Sequence, residues 1–448
     1  MQYTGVAVAT RTMLARLLAG AGAGAGTGTG YGSVLVNSAF LVANTLAGSV
    51  FGFLFWLVAA RAYTPVQVGL GAAYVSAITF LTNAGEMGLG TALIRFAPAM
   101  GDRRASFINS ALSAAGICTL VVTLAFALGT PLWLPDMAEL GRPGAYLGLF
   151  TASTLAFGLV QLLDRVFIAF QMTHLMFARN ALAGLIRLGV LLTVGRVFGA
   201  HGLVLAVGAG AALTFALSVL MFAPRVVPGY RIAPALDPAD LRGKVGYTLG
   251  NHFATLLWSA PALVYPVVIV ALLGAEANAH FYVSWMVANL LFIVPASVST
   301  SAFARASNEV VADERAFWRV MRWTLAALLL PALLMTAAAP VVLGVFGGNY
   351  GSEGRWLFTM LVLSVFAYTV NTSVIAYHRI RQGVRAVVWL SGLITVLCMG
   401  LSMGLGAVYG LAGVGTGWLA GQMLGVGLSA FTLSSRVLAL RFAGKLHR

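Results

Sequence analysis

The chain has 448 residues, of which 60% are hydrophobic and only 9% are charged, with a mean hydropathy of +0.92. Soluble domains carry roughly 25% charged residues, so this composition excludes an ordinary soluble protein and indicates that lipid is the surrounding solvent. The apolar runs are long and lack alternation, and they therefore predict helices rather than strands. A net charge of +15 would suggest nucleic-acid binding in a soluble protein, so the positions of the charges decide its meaning.

Residues 1–32 are predicted to form a cytoplasmic tail rich in Gly and Ala. From Gly20 to Gly32 glycine alternates with other residues, a composition that cannot pack a core. The period of two does not match the spacing of a phosphate-binding loop, so no nucleotide site is predicted here. The apolar stretch before it is interrupted by Arg16, and we expect no cleaved signal peptide.

Twelve transmembrane helices are predicted to follow, each long enough for the ~20 residues that a spanning helix requires. Their approximate ranges are 33–60, 66–97, 107–130, 144–168, 175–196, 202–223, 245–272, 277–301, 317–346, 355–378, 383–408 and 411–434. A cytoplasmic linker, 224–244, separates a predicted N-lobe (33–223, spans one to six) from a C-lobe (245–434, spans seven to twelve). Residues 435–448 are predicted to form a basic cytoplasmic tail.

The two predicted lobes resemble each other weakly. The short connections 64–69 and 274–279 follow the first span of each lobe at an offset of 210 residues. Asn37 and Asn251 lie early in those first spans at a similar offset of 214. Two related six-helix halves around a central site are a common plan for transporters.

The basic residues lie mainly on one side of the predicted membrane. Of the 27 Lys and Arg residues, 22 fall in segments on the side of the N-terminus and four in segments on the other side. The positive-inside rule then predicts that both termini lie in the cytoplasm. This distribution also explains the net charge without nucleic acid, and we expect a multi-pass protein of the cell inner membrane.

Signatures of enzymes and metal sites are not found in the sequence. Gly243-Lys244 is followed by Val245, so no Walker A motif occurs, and the six histidines are scattered. Cys118 and Cys398 lie in apolar segments and are interpreted as small core residues. No outside connection is long enough for a catalytic domain. We therefore expect no enzymatic activity, metal or cofactor, and leave coupling to a proton or sodium gradient open.

Polar residues within the spans of the first half mark a candidate substrate site, because burying them in lipid is costly. Arg187 lies near the middle of span five and is predicted to bind an anionic substrate group, or else to pair with Asp164 or Glu86. Asn180, seven residues earlier, shares its helix face. Arg95, near the predicted cytoplasmic end of span two, either lines a cavity mouth or extends to lipid headgroups.

Two carboxylates have coupling or structural interpretations. Glu86 lies in the glycine-rich stretch 85–90 of span two, where we expect a loosened or kinked helix. It is predicted to be a proton or cation site, with a structural role as the alternative. Asp164 and Arg165 end span four, and their simplest interpretation is an anchor at the membrane interface.

Three spans are each predicted to present one polar face to a central cavity. These faces comprise Asn37 and Asn44 in span one, Tyr247, Asn251, Thr255 and Ser259 in span seven, and Tyr282, Trp285 and Asn289 in span eight. Of these residues, the predicted substrate contacts are Asn37, Asn44, Asn251 and Thr255. Pro261 and Pro266 are expected to interrupt span seven. Polar packing between helices would explain the same pattern.

Span twelve carries a four-residue glycine repeat. The repeat consists of Gly413, Gly417, Gly421 and Gly425. Small residues at this spacing allow a second helix to approach closely, so we predict a packing role and no catalytic one.

Three segments of the sequence resemble a known transporter family. Residues 55–65 (FWLVAARAYTP) close span one, residues 88–96 (GLGTALIRF) close span two, and residues 162–171 (LLDRVFIAFQ) join spans four and five. These segments resemble the Wzx-type polysaccharide flippases of the multidrug/oligosaccharidyl-lipid/polysaccharide exporter superfamily. The motifs concentrate in the first half, while span number and topology cover the whole chain.

The resemblance implies a V-shaped, two-lobed carrier with alternating access. Its substrate would be an undecaprenyl-diphosphate-linked oligosaccharide, moved from the inner to the outer leaflet for cell-surface lipopolysaccharide or exopolysaccharide. The cationic cavity of the family would map onto Arg187 and Arg95, although the second half departs from the pattern because it has no mid-span arginine. Implied partners are the lipid-linked glycan, membrane lipids and other polysaccharide-assembly proteins.

Three other functions remain open at this point. A cation-coupled multidrug exporter of the same superfamily would use Glu86 as its coupling residue. A membrane-embedded glycan polymerase or ligase would need essential residues in the outside loops. A flippase for the peptidoglycan precursor would differ only in the glycan.

Overall fold

The computed structural model describes residues 31–242, 245–306, 314–381 and 384–443, and these are almost entirely helical. The predicted tail 1–32 therefore lies outside the described residues except for Tyr31 and Gly32, which begin the first helix. The helices of eight or more residues, labelled α1 to α12, are Tyr31–Ala62, Pro65–Glu86, Leu89–Phe96, Arg104–Trp133, Ala145–Ala169, Thr173–Leu192, Ala200–Leu217, Val245–Leu273, Ala275–Ala306, Glu314–Ala337, Arg355–Ile380 and Val384–Ala443. Shorter helical segments are Ala97–Ala99, Gly101–Arg103, Pro135–Gly141, Val194–Phe198, Ser218–Phe222, Ala223–Val226, Pro238–Leu241, Ala339–Gly344 and Tyr350–Glu353.

The described chain is a multi-pass membrane protein. Ten of its helical stretches are long and apolar enough to cross a bilayer. One of them, Arg385–Ser434, has 50 residues and covers predicted span twelve and nearly all of predicted span eleven. The apolar part of α8 that can be described, Ser259–Leu273, is shorter and corresponds to predicted span seven. The all-α membrane fold is confirmed, and each predicted span overlaps at least one helix.

Helix α12 folds back on itself at Gly410, whose φ of 60° and ψ of −143° are not helical. A Cβ at Gly413 would overlap the carbonyl oxygen of Leu405, and one at Gly417 would overlap that of Leu401. As the residue number of the glycine rises from 413 to 417, that of its contact falls from 405 to 401, so the two arms are antiparallel. This confirms the predicted packing role of the repeat. The second arm continues to Ala443, so residues 435–443 of the predicted basic tail are helical.

The second predicted span is broken between α2 and α3, which confirms the expected kink. Met87 and Gly88 both have positive φ, of 50° and 75°. A Cβ at Gly88 would lie 2.8 Å from the backbone oxygen of Thr248 in α8, so the break is also a contact between the two halves of the chain. Glycine suits this position because it tolerates positive φ and close approach.

The predicted interruption of span seven by its prolines is wrong. Helix α8 runs through Pro261 and Pro266 without a break. Each proline removes one backbone hydrogen bond, but neighbouring helices hold the rest of the segment in place. The hydroxyl of Ser259 donates to the carbonyl of Leu256 at 3.2 Å, one turn before the first proline.

Helix α2 joins the two halves of the chain. It packs against α4, α5 and α7 on one side and against α8 and α9 on the other. At its start, the side-chain amide of Asn278 donates to the carbonyl of Gly69 at 2.7 Å. Nearby, Arg61 Nε donates to the carbonyl of Val345 at 2.8 Å. Together with the close approach of Gly88 to Thr248 just beyond the last residue of α2, these contacts position one half against the other.

The connection before α8 is bound to the face of α4. Ser106 donates to the buried carboxylate of Asp240 at 2.7 Å, and Arg103 forms an ion pair with the same carboxylate at 2.8 Å. Tyr230 donates to Asn109 at 2.8 Å, and burial raises the pKa of the Tyr230 phenol above its ordinary value. The predicted linker 224–244 is thus, where described, a structured part of the first half.

Candidate substrate-binding site

An ion pair with a buried arginine lies between α5 and α6. The guanidinium of Arg179 is only 1% exposed and contacts the carboxylate of Asp164. It also donates to Ser218 at 3.0 Å and lies over the ring of Phe167 at 5.0 Å. A charge removed from water needs a partner of opposite sign and further hydrogen bonds, and Arg179 has both.

Two asparagines extend this ion pair to α1. Asn180 donates to Asp164 at 3.3 Å and to the side-chain oxygen of Asn44 at 3.1 Å. About two turns closer to the start of α1, Asn37 accepts a hydrogen bond at 2.8 Å from the hydroxyl of Thr173, the first residue of α6. The polar face predicted for span one therefore bonds α1 to α6. The substrate contacts predicted for Asn37, Asn44 and Asn180 stay predictions.

Sequence reasoning did not single out Arg179, which lies within α6 and is fully buried. The interface anchor predicted for Asp164 stays a prediction, and its carboxylate contacts Arg179. One available signal was the spacing of eight residues between Arg179 and Arg187, which places both on one helix face.

Arg187 occupies a different environment from Arg179. It lies in the last third of α6, half-buried, with its guanidinium over the ring of Phe157 at 5.6 Å. The missing side chain of Gly210 in α7 makes room for it, because a Cβ there would lie 2.7 Å from the Arg187 side chain. Its Nε has no hydrogen-bond partner among the described residues. The alternative ion pairs with Asp164 and Glu86 are not formed, since those carboxylates contact other arginines.

Glu86 is the last residue of α2, and its side chain is 14% exposed. One carboxylate oxygen lies 4.0 Å from Arg165 Nε. A Cβ at Gly90 would overlap that oxygen, so the glycine creates the space for it. Glu86 also lines a cavity of about 10 Å³ with Thr82 and Thr119, which has room for roughly one water molecule. The arrangement is compatible with a cation site or a structural carboxylate.

The remaining predicted site residues are dispersed. Arg95 is exposed in the last turn of α3, beside the ring of Phe96 at 5.4 Å. The side chains of Asn251 and Thr255 lie outside the described residues, although their helix, α8, is described. The structure therefore does not bring all the predicted substrate contacts into one described cluster.

The second half contains a cavity of about 330 Å³. It lies between α8, α9, α11 and α12, and its lining residues are uncharged throughout the part of the chain that the structure describes. The polar and aromatic ones are Ser259, Trp285, Asn289, Phe292, Tyr368, Asn371, Thr372, Ser391, Thr395, Trp418 and Gln422. A volume in this range is typical of small-molecule sites.

Sequence reasoning found only one side of this cavity. It selected Ser259, Trp285 and Asn289 as cavity-facing, and all three line it. It missed Asn371 and Gln422, although amides in the middle of predicted spans ten and twelve are the same signal that singled out Asn180. Within the described ranges, His, Cys, Asp and Glu side chains form no group of three or more that could hold a metal ion.

Comparison with known proteins finds solved structures of similar fold but assigns no family. No protein-family model matches the sequence, and no curated protein does. The lipid II flippase MurJ, in an inward closed conformation, superposes with a TM-score of 0.69 and 12% identity, over 88% of this chain and 87% of that one. An inward-facing multidrug resistance MATE family transporter of the MOP superfamily gives 0.64 and 15%, over 89% and 95%.

A MOP superfamily transporter from Pyrococcus furiosus is similar as well, with a TM-score of 0.57 and 14% identity over 91% of this chain and 96% of that one. At such identities the likeness concerns the fold alone. The chain has the fold of these transporters.

Proposed function

We propose that this protein is a flippase that moves a polyprenyl-diphosphate-linked oligosaccharide from the inner to the outer leaflet of the cell inner membrane. The fold supports a transporter in general, and the similarity to a lipid II flippase supports a lipid-linked substrate. The Wzx-type resemblance of the first half supports a cell-surface glycan, and a peptidoglycan precursor is the alternative within the same activity. No chemistry on the glycan is proposed.

Arg187 carries the proposal. A guanidinium inside a membrane span is costly unless it pairs or performs a function. Arg179 is paired, whereas Arg187 has no carboxylate within ion-pair distance among the described residues. A guanidinium can bind phosphate oxygens through two parallel hydrogen bonds. Arg187 is thus the best-placed cation in the described first half for a substrate diphosphate.

The proposed direction agrees with membrane electrostatics. Moving one charge across 100 mV changes its free energy by ~2.3 kcal/mol, so a diphosphate with about two negative charges gains ~4–5 kcal/mol on leaving a negative interior. Alternating access then needs no covalent step. Additional coupling to a proton or sodium gradient stays open.

The test is flipping of a fluorescent polyprenyl-diphosphate oligosaccharide in proteoliposomes. Arg187→Ala is expected to slow flipping about 10- to 100-fold, because it removes charged hydrogen bonds of ~1.5–3 kcal/mol. Arg187→Lys should retain part of the rate, since it keeps the charge. Arg142→Ala, which removes an exposed arginine from the same half, is the matched control. Wild-type rates in Arg187→Ala would rule out its role as the anion contact.

A second candidate function is a cation-coupled multidrug exporter. It is favoured by the similarity to MATE family transporters and by the nearly buried carboxylate of Glu86. In this case the proteoliposomes would fail to flip the lipid-linked glycan and would instead export organic cations, with Glu86→Gln abolishing export.

A further inference from the structure

The cavity of the second half has aromatic walls. The rings of Trp285 and Trp418 meet edge to face with centroids 4.9 Å apart, and Phe292 and Tyr368 meet in the same way at 4.9 Å. Trp418 is held in place because its indole nitrogen donates to Ser364 at 3.0 Å. The walls therefore present rigid apolar surfaces to whatever occupies the space between them.

The walls also carry polar groups that are available to a ligand, among them those of Gln422 and Ser391. Asn371 is committed to the protein, since its amide nitrogen donates to the Gln422 side-chain oxygen at 2.9 Å and its oxygen accepts from Ser429 at 3.0 Å. The bond to Asn371 uses the oxygen of Gln422 and leaves its amide nitrogen as a donor. Ser391 Oγ has no hydrogen-bond partner among the described residues. A buried hydroxyl without a partner is costly, and a ligand hydroxyl would supply one.

The chemistry of the lining selects an uncharged ligand. A diphosphate would find no cation here, and an organic cation would find no carboxylate among the described lining residues. A polyprenyl chain would leave the amide and hydroxyl groups unsatisfied. A sugar ring fits both features, because its C–H faces can lie on aromatic rings while its hydroxyls bond to amides and hydroxyls. Asn289 is exposed, so the cavity can be reached from outside the protein.

We infer that this cavity binds a neutral sugar of the lipid-linked glycan, while the diphosphate binds to Arg187 in the first half. The inference rests on the proposed function and adds that the two halves bind different parts of the substrate. The first half recognises the charge common to all polyprenyl-diphosphate lipids, and the second half recognises the glycan. Bare polyprenyl diphosphate would then bind more weakly than its glycosylated forms.

The test is equilibrium binding of lipids to the purified full-length protein in detergent, measured by native mass spectrometry. The probes are undecaprenyl diphosphate and a panel of undecaprenyl diphosphates that each carry one different neutral sugar. At least one glycosylated lipid is expected to bind about tenfold more tightly than the bare diphosphate. Gln422→Leu and Ser391→Ala should each weaken its binding about three- to tenfold, the worth of one neutral hydrogen bond, without changing the affinity for bare diphosphate.

Ser434→Ala is the matched control, since it removes an exposed hydroxyl from the same helix as Ser391. If Gln422→Leu does not fold, Ser391→Ala is sufficient for the test, because it removes only one hydroxyl group. Binding of every glycosylated lipid within twofold of the bare diphosphate would overturn the sugar site and leave the proposed flippase intact. Failure of both lipid classes to bind would overturn the proposed function itself. Tetraphenylphosphonium binding that weakens in the same two variants would assign the cavity to organic cations.

Discussion

The side-chain amide of Asn278 donates a hydrogen bond to the backbone carbonyl of Gly69, with 2.7 Å between nitrogen and oxygen. Gly69 lies near the start of α2 and Asn278 near the start of α9, so this bond joins the two halves of the chain. The two segments are those that the sequence relates by the offset of 210 residues. Contact between equivalent segments is expected where two related halves meet around an approximate two-fold axis.

Enlarging Gly69 should hold the two halves apart at this end. A Cβ at Gly69 would overlap the carbonyl oxygen of Ala275, and backbone cannot move aside as a flexible side chain can. Spin labels at the exposed positions Val66 and Val345 should report a longer distance in Gly69→Leu, with transport slowed at least about tenfold. Gly48→Leu is the control, since a Cβ there meets no atom within 4 Å. An unchanged distance distribution would contradict this account of the contact.

Removing one member of the Asp164–Arg179 pair should cost more than removing both. Asp164→Leu leaves the fully buried guanidinium of Arg179 without its anion, at a cost of about 3–5 kcal/mol. The double variant Asp164→Leu/Arg179→Met should recover much of the loss, because no unpaired charge remains. Thermal unfolding in detergent measures the difference, with Arg142→Ala as a surface control. Additive losses in the double variant would show that the two side chains act independently.

Glu86 and Gly90 should be linked functionally if the carboxylate couples transport to an ion gradient. Glu86→Gln should then abolish the dependence of transport on a proton or sodium gradient. Gly90→Ala should impair it partially, because the added methyl displaces the carboxylate oxygen. Gly116→Ala, in the lining of the same small cavity, should have little effect, since its nearest neighbour would lie 3.8 Å away. Full gradient dependence in Glu86→Gln would make Glu86 a structural residue.

The fold-back of α12 should tolerate substitution at one glycine and not at another. In Gly421→Ala the methyl would lie 2.5 Å from the Cα of Cys398 in the facing arm, an overpacking expected to cost about 1–3 kcal/mol. Gly427→Ala, with no atom within 4 Å of the added methyl, should be neutral or slightly stabilising because alanine favours helix. Thermal unfolding of the two variants side by side provides the comparison. Equal stabilities would contradict the close approach of the arms.

Much of the fold could be predicted because its causes are local along the chain. The kink after Glu86 followed from clustered glycines, and the close packing of Gly413, Gly417 and Gly421 followed from their spacing. The expected interruption at Pro261 was wrong, since α8 continues through it while packed against α2, α9 and α12. A rule based on local sequence, such as helix breaking by proline, fails where contacts with neighbouring helices stabilise the helix.

The candidate site was predicted less well, as Arg179 and Arg187 illustrate. Both lie on α6. From sequence position alone, Arg187 was singled out as the functional arginine because it lies nearer the middle of the predicted span. The structure shows that Arg179 is the fully buried one and that Asp164, fifteen residues away on another helix, neutralises it. Pairing between helices depends on their rotation and lateral order, which one-dimensional periodicity does not encode.

The amino-acid sequence by itself determined that this protein is a bundle of membrane helices, because a bilayer admits only long apolar segments whose backbone groups are satisfied internally. It also determined which residues are too polar to face lipid. Only the tertiary structure decided which of them satisfy one another and which remain for a substrate. Asp164, Arg179 and Asn44 are drawn together from three helices, whereas Arg187 and Ser391 each retain an unpaired atom. The reason is that hydrogen bonds and ion pairs form between neighbours in space, and neighbours in space are set by helix packing.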